Sequence, residues 1–242
     1  MNEQIILGKW TSGSLDLLFK EAADIQHPGR RIDFLSRQFL GTRYKEATLI
    51  GDADRPEVFV INLDAVDCLT FIEYVEAMRR SISFEGFREN LMKVRYRSGM
   101  AAFRNRNHFF TDWKAFNSDM IKDVTRHISA GKGKDVSKRL NEKDDGSLFL
   151  AGIQCRLREV TYIPTTDLDK AVLAGLETGD YIGIYSKMDG LDVSHTGIII
   201  RDGDSIHLRH ASSVKKNMKV LDEGLMDYLQ GKPGIIVLRP GD

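Results

Sequence analysis

An α+β fold is predicted by two features of this 242-residue sequence. Helical periodicity dominates the first half, whereas short β-branched segments bounded by Gly, Asp or Pro dominate the end of the chain. Because the helices come first and an antiparallel meander follows, we expect a helix bundle packed on one face of a sheet. The apolar content of 42% suits a substantial core, so residues 1–242 are predicted to form one domain with an inserted helical and loop region at about 80–165.

Each element follows from its local pattern. The predicted helices are residues 14–25, 30–40, a segment that begins at Cys68, 84–94 and 118–128. The predicted strands are residues 180–186, 194–200, 205–212 and 234–240. The charged, Gly-rich segment 130–146 is interpreted as an exposed loop or a weak helix. Cys155 is expected to be a buried strand residue rather than a second functional thiol.

Charge and hydropathy argue against a nucleic-acid partner and against a membrane span. The chain has 35 basic and 35 acidic residues, so nothing indicates a nucleic-acid partner. No apolar run approaches the ~20 residues of a membrane span. The start of the chain lacks a secretion signal, so we expect a cytoplasmic protein, or a periplasmic or otherwise extracytoplasmic one if a leader is missing. The densest basic patch is a solvated face or a substrate wall, and it comprises Arg95, Arg97, Arg104 and Arg106.

Cys68 is predicted to lie in the first turn of an amphipathic helix, directly after Asp67. The apolar stripe of residues 71–78 starts one turn later, with Glu73, Glu76 and Arg79 turned outward. Asp67 is a favoured N-cap, and the unpaired amides and helix dipole would stabilise a thiolate. We therefore expect a depressed pKa at Cys68, provided that Asp67 points at the amides. The alternative is a small buried apolar residue.

A base for this cysteine is predicted from a hairpin. Asp202-Gly203 is a strong signal for a two-residue turn, which would pair Arg201 with Asp204. Counting outward from that turn, His195 faces His210, with β-carbons ~5 Å apart on the side of the sheet that faces the helices.

The same register assigns roles to the histidines. His195 would take the thiol proton and His210 would orient His195, which gives a Cys-His-His arrangement with Cys68. His207 points to the other face, so its spacing of three from His210 does not build a zinc site, and no metal is expected.

Four motifs carry a family resemblance. They are FLGTRY (39–44), DCLTFIE (67–73), SHTGIII (194–200) and RHASS (209–213). In this order they resemble the papain-like cysteine hydrolases of bacterial cell walls, the NlpC-type superfamily. The resemblance implies Cys68 as nucleophile, His195 as base and His210 as third triad residue. It also implies that Tyr44 lies at the substrate site, although Arg43 stands where proline is common.

A narrower resemblance covers roughly residues 34–239. Segments 61–78, 94–113 and 207–213 are similar to the N-acetylmuramoyl-L-alanine amidase-like branch. The implied reaction, without a cofactor, hydrolyses the amide between the lactyl group of N-acetylmuramic acid and L-alanine. Muropeptides are the implied partner, with their carboxylates held by local arginines.

The branch also implies substrate contacts. His108 and Trp113 would lie near the cleft, and Ser194 is assigned to substrate binding with them. An alternative places Trp113 in the core, with His108 capping a turn. Other functions stay open: an endopeptidase that cuts between D-glutamate and the diamino acid, a non-catalytic muropeptide-binding module, and a toxin or acyltransferase on the same fold.

Overall fold

The computed structural model describes residues 2–241. Its helices are α1 (Ser12–Ala23), α2 (Pro28–Arg37), α3 (Cys68–Arg79), α4 (Phe84–Arg95), α5 (Phe110–Ala115), α6 (Thr125–Ile128), α7 (Lys170–Ala174) and α8 (Leu225–Tyr228). Its strands are β1 (Glu3–Ile6), β2 (Arg43–Tyr44), β3 (Phe59–Asn62), β4 (Ala65–Val66), β5 (Ile121–Asp123), β6 (Lys134–Leu140), β7 (Arg156–Pro164), β8 (Tyr181–Tyr185), β9 (Val193–Asp202), β10 (Ser205–Ala211), β11 (Val220–Gly224) and β12 (Gly234–Pro240). Within these residues, no helix has the length and apolar character that crossing a bilayer requires.

The main sheet has the strand order β11-β10-β9-β8-β12-β7-β6, and β5 also pairs with β12. Its pairings are antiparallel. Short parallel pairs, β1 with β3 and β2 with β4, lie beside it. The prediction of an α+β fold with a large antiparallel sheet is therefore confirmed.

Helical layers cover both faces of this sheet, which corrects the expectation of helices on one face. Ile198 and Ile200 of β9 pack in a core with α1 to α5. Ile199 and Leu208 point the other way and pack with the short helices α6, α7 and α8. The central strands are apolar at successive positions because both of their faces are buried.

Two predicted elements of the middle region differ in the structure. Residues 121–128 form strand β5 and the single turn α6 instead of a helix over 118–128. Residues 134–140, predicted as a loop or weak helix, form β6. Every residue of β6 pairs with β7. β6 ends the strand order, and charged side chains are common on such edge strands. The 80–165 region therefore contributes β5, β6 and β7 to the main sheet.

Helix α3 runs through the core with charged residues buried inside it. Glu73 accepts from Arg95 Nε at 2.7 Å, and Glu76 accepts from Arg79 at 2.7 Å and from the Tyr181 hydroxyl at 2.8 Å. The prediction that Glu73, Glu76 and Arg79 face solvent is therefore wrong, because all three are buried. Buried charges persist when they are paired, and these pairs fix α3 against α4 and the sheet.

Candidate active site

Cys68 is the first residue of α3, and Asp67 is its N-cap. Asp67 Oδ1 accepts hydrogen bonds from the Thr70 amide at 2.8 Å and the Thr70 hydroxyl at 2.9 Å. The first backbone bond of the helix runs from the Phe71 amide to the Asp67 carbonyl at 3.0 Å. The helix pattern therefore leaves the amides of Cys68 and Leu69 without an intrahelical acceptor, so they can bind a developing negative charge.

The pKa of the Cys68 thiol is raised to about 11, so the expectation of a depressed pKa is wrong. Burial is the largest cause, and the Asp67 carboxylate is the next. Contacts with Thr196 act in the opposite direction and favour the thiolate, but they are outweighed. The carboxylate that caps the helix thus also acts on the sulfur, and Cys68 rests as a thiol at neutral pH.

Asp67→Asn is expected to lower the pKa of Cys68. Asparagine keeps an oxygen that can accept from Thr70, so the cap survives while the charge that disfavours the thiolate is lost. The rate of iodoacetamide alkylation at pH 8, measured in a Cys155→Ser background, should rise several-fold over that of the parent. An unchanged rate, or a slower one, would contradict the role given to the Asp67 charge.

The hairpin that carries the histidines has a different register from the predicted one. Asp202 pairs with Ser205, so the two-residue loop is Gly203-Asp204 rather than Asp202-Gly203. Gly203 has φ +59°, and glycine at the first loop position is typical of type II′ turns. Moving the loop by one residue shifts every cross-strand partner by two, which leaves each side chain on its original face.

His195 and His210 therefore still share one face, and His207 has the opposite orientation. Arg209 pairs with Ile198, and the next residue along, His210, comes opposite Gly197 rather than His195. A Cβ built on Gly197 would lie 3.0 Å from His210 Cβ and 2.9 Å from the carbonyl oxygen of Arg209. The glycine of the His-Thr-Gly motif thus allows close approach of the His210 strand.

The face that carries both histidines is covered by α8, which corrects the expectation that they face α3. The Tyr228 ring of α8 lies 4.8 Å from the His210 ring and 5.9 Å from the His195 ring, between centroids. His195 shares a cavity with Cys68 because both lie at one end of the sheet. There the Thr196 hydroxyl donates to the Cys68 carbonyl at 2.7 Å.

The two histidines form a hydrogen-bonded chain with Glu223. His195 Nε2 lies 2.8 Å from His210 Nδ1, and His210 Nε2 lies 2.8 Å from Glu223 Oε2. An ionised carboxylate only accepts, so His210 Nε2 carries a proton. In a neutral His210, Nδ1 is then an acceptor, and the proton between the rings belongs to His195 Nε2. His195 Nδ1 is consequently the unprotonated nitrogen.

Both imidazoles are neutral near pH 7. The pKa of His195 is lowered to about 3 by burial, and then by His210 and Lys232. Burial also lowers the pKa of His210, against the opposing effect of Glu223. A neutral imidazole that shares a cavity with a neutral thiol can act as a general base at the moment the sulfur attacks.

A cavity of about 360 Å³ opens at Cys68 and His195. Its walls are mostly apolar, and the apolar lining residues are Leu69, Phe109, Phe110, Phe149, Leu150, Leu191 and Val193. Ser194 also lines it, from a β-bulge: Ile184 pairs with His195 and Tyr185 with Val193, so Ser194 is the extra residue. The apolar walls lower the local dielectric and strengthen interactions with charge that develops near Cys68.

His108 lines the same cavity, whereas Trp113 does not. Burial lowers the pKa of His108 to about 4, and its Nε2 lies 2.8 Å from the Phe103 carbonyl. Since a carbonyl only accepts, Nε2 carries the proton and Nδ1 is an acceptor. Trp113 is fully buried and packs edge-on against Tyr181 at 5.2 Å, which corrects its predicted place at the substrate.

Tyr44 and Cys155 complete the residues singled out from the sequence. Burial raises the pKa of the Tyr44 phenol, and the nearby Cys68 raises it further. The phenol therefore stays protonated. Its hydroxyl donates to Glu46 at 3.3 Å. Cys155 is half-buried and directly precedes β7, so it is neither a buried residue nor inside the strand.

Comparison with known proteins gives the family of the chain. A model of the AmiA-like family, described as N-acetylmuramoyl-L-alanine amidase-like, matches residues 34–235. The chain belongs to this family. Among curated proteins, no significant match was found for this amidase-like chain.

Solved structures share the fold of this amidase-like chain. An N-acetylmuramoyl-L-alanine amidase from Bacteroides uniformis is 30% identical with a TM-score of 0.73, over 89% of this chain and 99% of that one. A putative xylanase from Bacteroides fragilis is 30% identical with a TM-score of 0.70, over 84% and 98%. The protein LPG0564 from Legionella pneumophila is 24% identical with a TM-score of 0.81, over 96% and 94%, and shows the fold alone.

Sequence reasoning missed Glu223, Thr196 and Tyr228. Glu223 pairs with Leu208 across β10 and β11, and that register cannot be counted from a tight turn. Thr196 directly follows His195 on the same strand, so its side chain points to the opposite face of the sheet, which packs on α3. Strand alternation predicts this position. Nothing in the local sequence around Tyr228 indicates that its ring contacts both histidines.

Proposed function

We propose that this protein is a cysteine hydrolase of peptidoglycan fragments, of the NlpC-type papain-like class. It would cleave the amide between the lactyl group of N-acetylmuramic acid and L-alanine. The observation that carries the proposal is the chain from Glu223 through His210 to His195, which leaves an unprotonated nitrogen at the cavity that Cys68 shares. The named activity of the Bacteroides uniformis neighbour supports the choice of bond.

The mechanism moves one proton in each half-reaction. As the Cys68 sulfur bonds to the lactyl carbonyl carbon, His195 Nδ1 takes the thiol proton. The backbone amide of Cys68 stabilises the oxyanion at the start of α3, with the protonated Tyr44 phenol as a second candidate donor. His195 then protonates the alanine nitrogen as the C–N bond breaks, which releases the peptide and leaves a thioester.

Water completes the cycle. His195 Nδ1 takes a proton from the water as its oxygen bonds to the thioester carbon, and returns it to the sulfur as the C–S bond breaks. The products are the muramic acid carboxylic acid and the free thiol. No step needs a metal or a redox partner.

The cavity walls suit the groups on either side of this amide. The lactyl group and L-alanine each carry a methyl, and the walls beside Cys68 are apolar. Glycoside hydrolysis, the activity in the name of the Bacteroides fragilis neighbour, ordinarily uses two facing carboxylates. Among the described residues lining the cavity, Asp192 is the sole carboxylate, and it is occupied by Thr111, which donates its amide and its hydroxyl at 2.7 Å.

The test of the proposed function is mass spectrometry of purified muropeptides incubated with the protein. We expect an intact stem peptide with a free L-alanine amine, together with the sugar carrying a free lactyl carboxylate. An L-Ala-D-Glu dipeptide still attached to the sugar would instead indicate the endopeptidase. Unchanged muropeptides would indicate a binding module, and oligosaccharide cleavage a glycosidase.

Glu223→Ala is expected to lower kcat about tenfold with little change in KM, because Glu223 acts on the reaction through His210 as a positioning residue. Glu223→Gln keeps an acceptor for His210 Nε2–H and should lie between the parent and the alanine variant. Glu159→Ala, an exposed change on β7, is the matched control.

The ¹⁵N shifts of the imidazoles separate positioning from a general structural effect. In the parent, His195 should carry its proton on Nε2, and in Glu223→Ala the population of this tautomer should fall. Unchanged tautomers together with parental kcat would contradict the role given to Glu223.

A further inference from the structure

A second cleft, of about 320 Å³, is lined by three arginines. Arg97, Arg104 and Arg156 border it, together with Gln154 and with Asn105, whose side-chain amide also donates to the Met100 carbonyl at 3.1 Å. Guanidinium groups present planar pairs of N–H donors that match a carboxylate, and amide side chains add further donors. The cleft is therefore rich in donors and in positive charge.

The described residues neutralise the positive charge of this cleft only in part. Arg97 donates to Asp112 at 2.9 Å, but Arg158 pairs with the same carboxylate. Within residues 2–241, Arg104 and Arg156 have no carboxylate partner. The pKa of Arg97 is lowered by burial and next by Arg156, as expected for guanidinium groups held close together.

The other two arginines of the basic patch, Arg95 and Arg106, each have a carboxylate partner. Arg95 is buried against Glu73, and Arg106 donates to Glu57 at 2.6 Å and 3.0 Å. These two are consumed by structural pairs and are neither solvated nor available to a ligand. Of the four arginines in the basic patch, Arg95 and Arg106 are thus held in structural pairs, whereas Arg97 and Arg104 border the cleft.

Packing holds two of the three arginines in place. The guanidinium groups of Arg97 and Arg156 lie 4.2 Å and 5.3 Å from the centroid of the Phe116 ring. Stacking on one ring restricts both side chains before any ligand arrives, and such preorganisation favours binding.

Acidic groups line an adjoining cleft that also contains Arg104, and they are Asp52, Asp54 and Glu57. Asp52 accepts from the amides of Asp54 and Arg55 at 3.0 Å and 2.8 Å, and it pairs with Arg55. Glu57 is held by Arg106, as described above. Asp54 is exposed to solvent, where its effect on Arg104 is screened.

The arginine cleft is built from the same two chain segments as the active-site cavity. His108 lines the cavity, and its ring stacks edge-on at 4.8 Å against Phe103, the neighbour of Arg104. Leu150 lines the cavity, while Gly152 borders the arginine cleft. Arg97 of the cleft also lies close enough to His108 of the cavity to lower the pKa of that imidazole, so the two sites are neighbours.

We propose that Arg97, Arg104 and Arg156 form a subsite that binds a carboxylate of the substrate's peptide, away from the amide that is cleaved. This inference rests on the proposed function, because it assigns the acidic peptide of a muropeptide to the subsite. The subsite supplies binding and alignment, and it takes no part in proton transfer.

Calorimetric titration of the inert Cys68→Ala protein tests the subsite directly. The probes are a muropeptide with free peptide carboxylates and its carboxamide analogue. Arg104→Gln with Arg156→Gln should weaken binding of the carboxylate form about tenfold or more, and should change binding of the carboxamide form less than about twofold. The control, Arg30→Gln with Arg80→Gln, removes the same charge from exposed positions elsewhere and should leave both affinities unchanged.

Two outcomes separate this proposal from the proposed function. Equal losses for both probes, or a loss equal to that of the control, would overturn the subsite even in an active amidase. Selective loss for the carboxylate probe supports the subsite even when the protein with Cys68 intact leaves the muropeptide uncleaved, which would overturn the amidase proposal alone.

Discussion

Cys68→Ala is expected to lower kcat for muropeptide hydrolysis by at least ~10³-fold, since no other group is placed to form the thioester. Cys68 is half-buried at the first position of α3, and alanine fits that position without disturbing the Asp67 cap. The variant should therefore fold and keep its affinity for substrate. Circular dichroism and ligand titration check both points.

Cys155→Ser is the matched control, because the chain has two cysteines and both are half-buried. Cys155 lies next to Glu142 and outside the cavity, so its replacement should leave turnover within about twofold of the parent. Turnover by Cys68→Ala within tenfold of the parent would remove Cys68 from the mechanism.

His195→Gln is expected to reduce kcat at least ~10²-fold, because glutamine cannot take the thiol proton. His210→Asn keeps an oxygen that can accept from His195 Nε2, so we expect a smaller loss that also appears in kcat. His207→Gln should be nearly neutral, since His207 pairs with Ile200 and points to the opposite face of the sheet.

The pH dependence adds a check on His195. Its pKa of about 3 means that it stays neutral through the physiological range, so kcat/KM should show no acid limb near pH 6.5. A damaging His207→Gln with a silent His210→Asn would contradict the orientation of all three histidines.

Features set by neighbouring residues could be predicted from the sequence. The start of α3 is predictable because Asp67 is a favoured N-cap just before the apolar stripe, and in the structure its side chain accepts from the Thr70 amide three residues on. The sharing of one face by His195 and His210 is also predictable although the turn is displaced by one residue, whereas the helix that covers this face is not. The two-residue loop can be either Asp202-Gly203 or Gly203-Asp204. In both cases each side chain of the hairpin points to the same face of the sheet.

Features set by distant contacts could not be predicted. The pKa of Cys68 depends on how deeply the folded chain buries the sulfur, and a helix start alone does not reveal this. Arg95 was placed on a surface because its partner, Glu73, lies 22 residues away. The role of Glu223 depends on the β10–β11 register, which no tight turn sets. Residues 134–140 are too charged to be recognised as a strand from the sequence, and they form β6 because an edge strand tolerates charged side chains.

The most direct test of the central claim is the mass of the covalent intermediate. Protein quenched with acid during turnover of a muropeptide should yield a peptide containing Cys68 that carries the N-acetylmuramic acid moiety through its lactyl carboxyl, with the stem peptide already released. A Cys68 peptide bearing the sugar together with L-Ala-D-Glu, or turnover with no adduct on Cys68 under conditions that trap a thioester, would contradict the account.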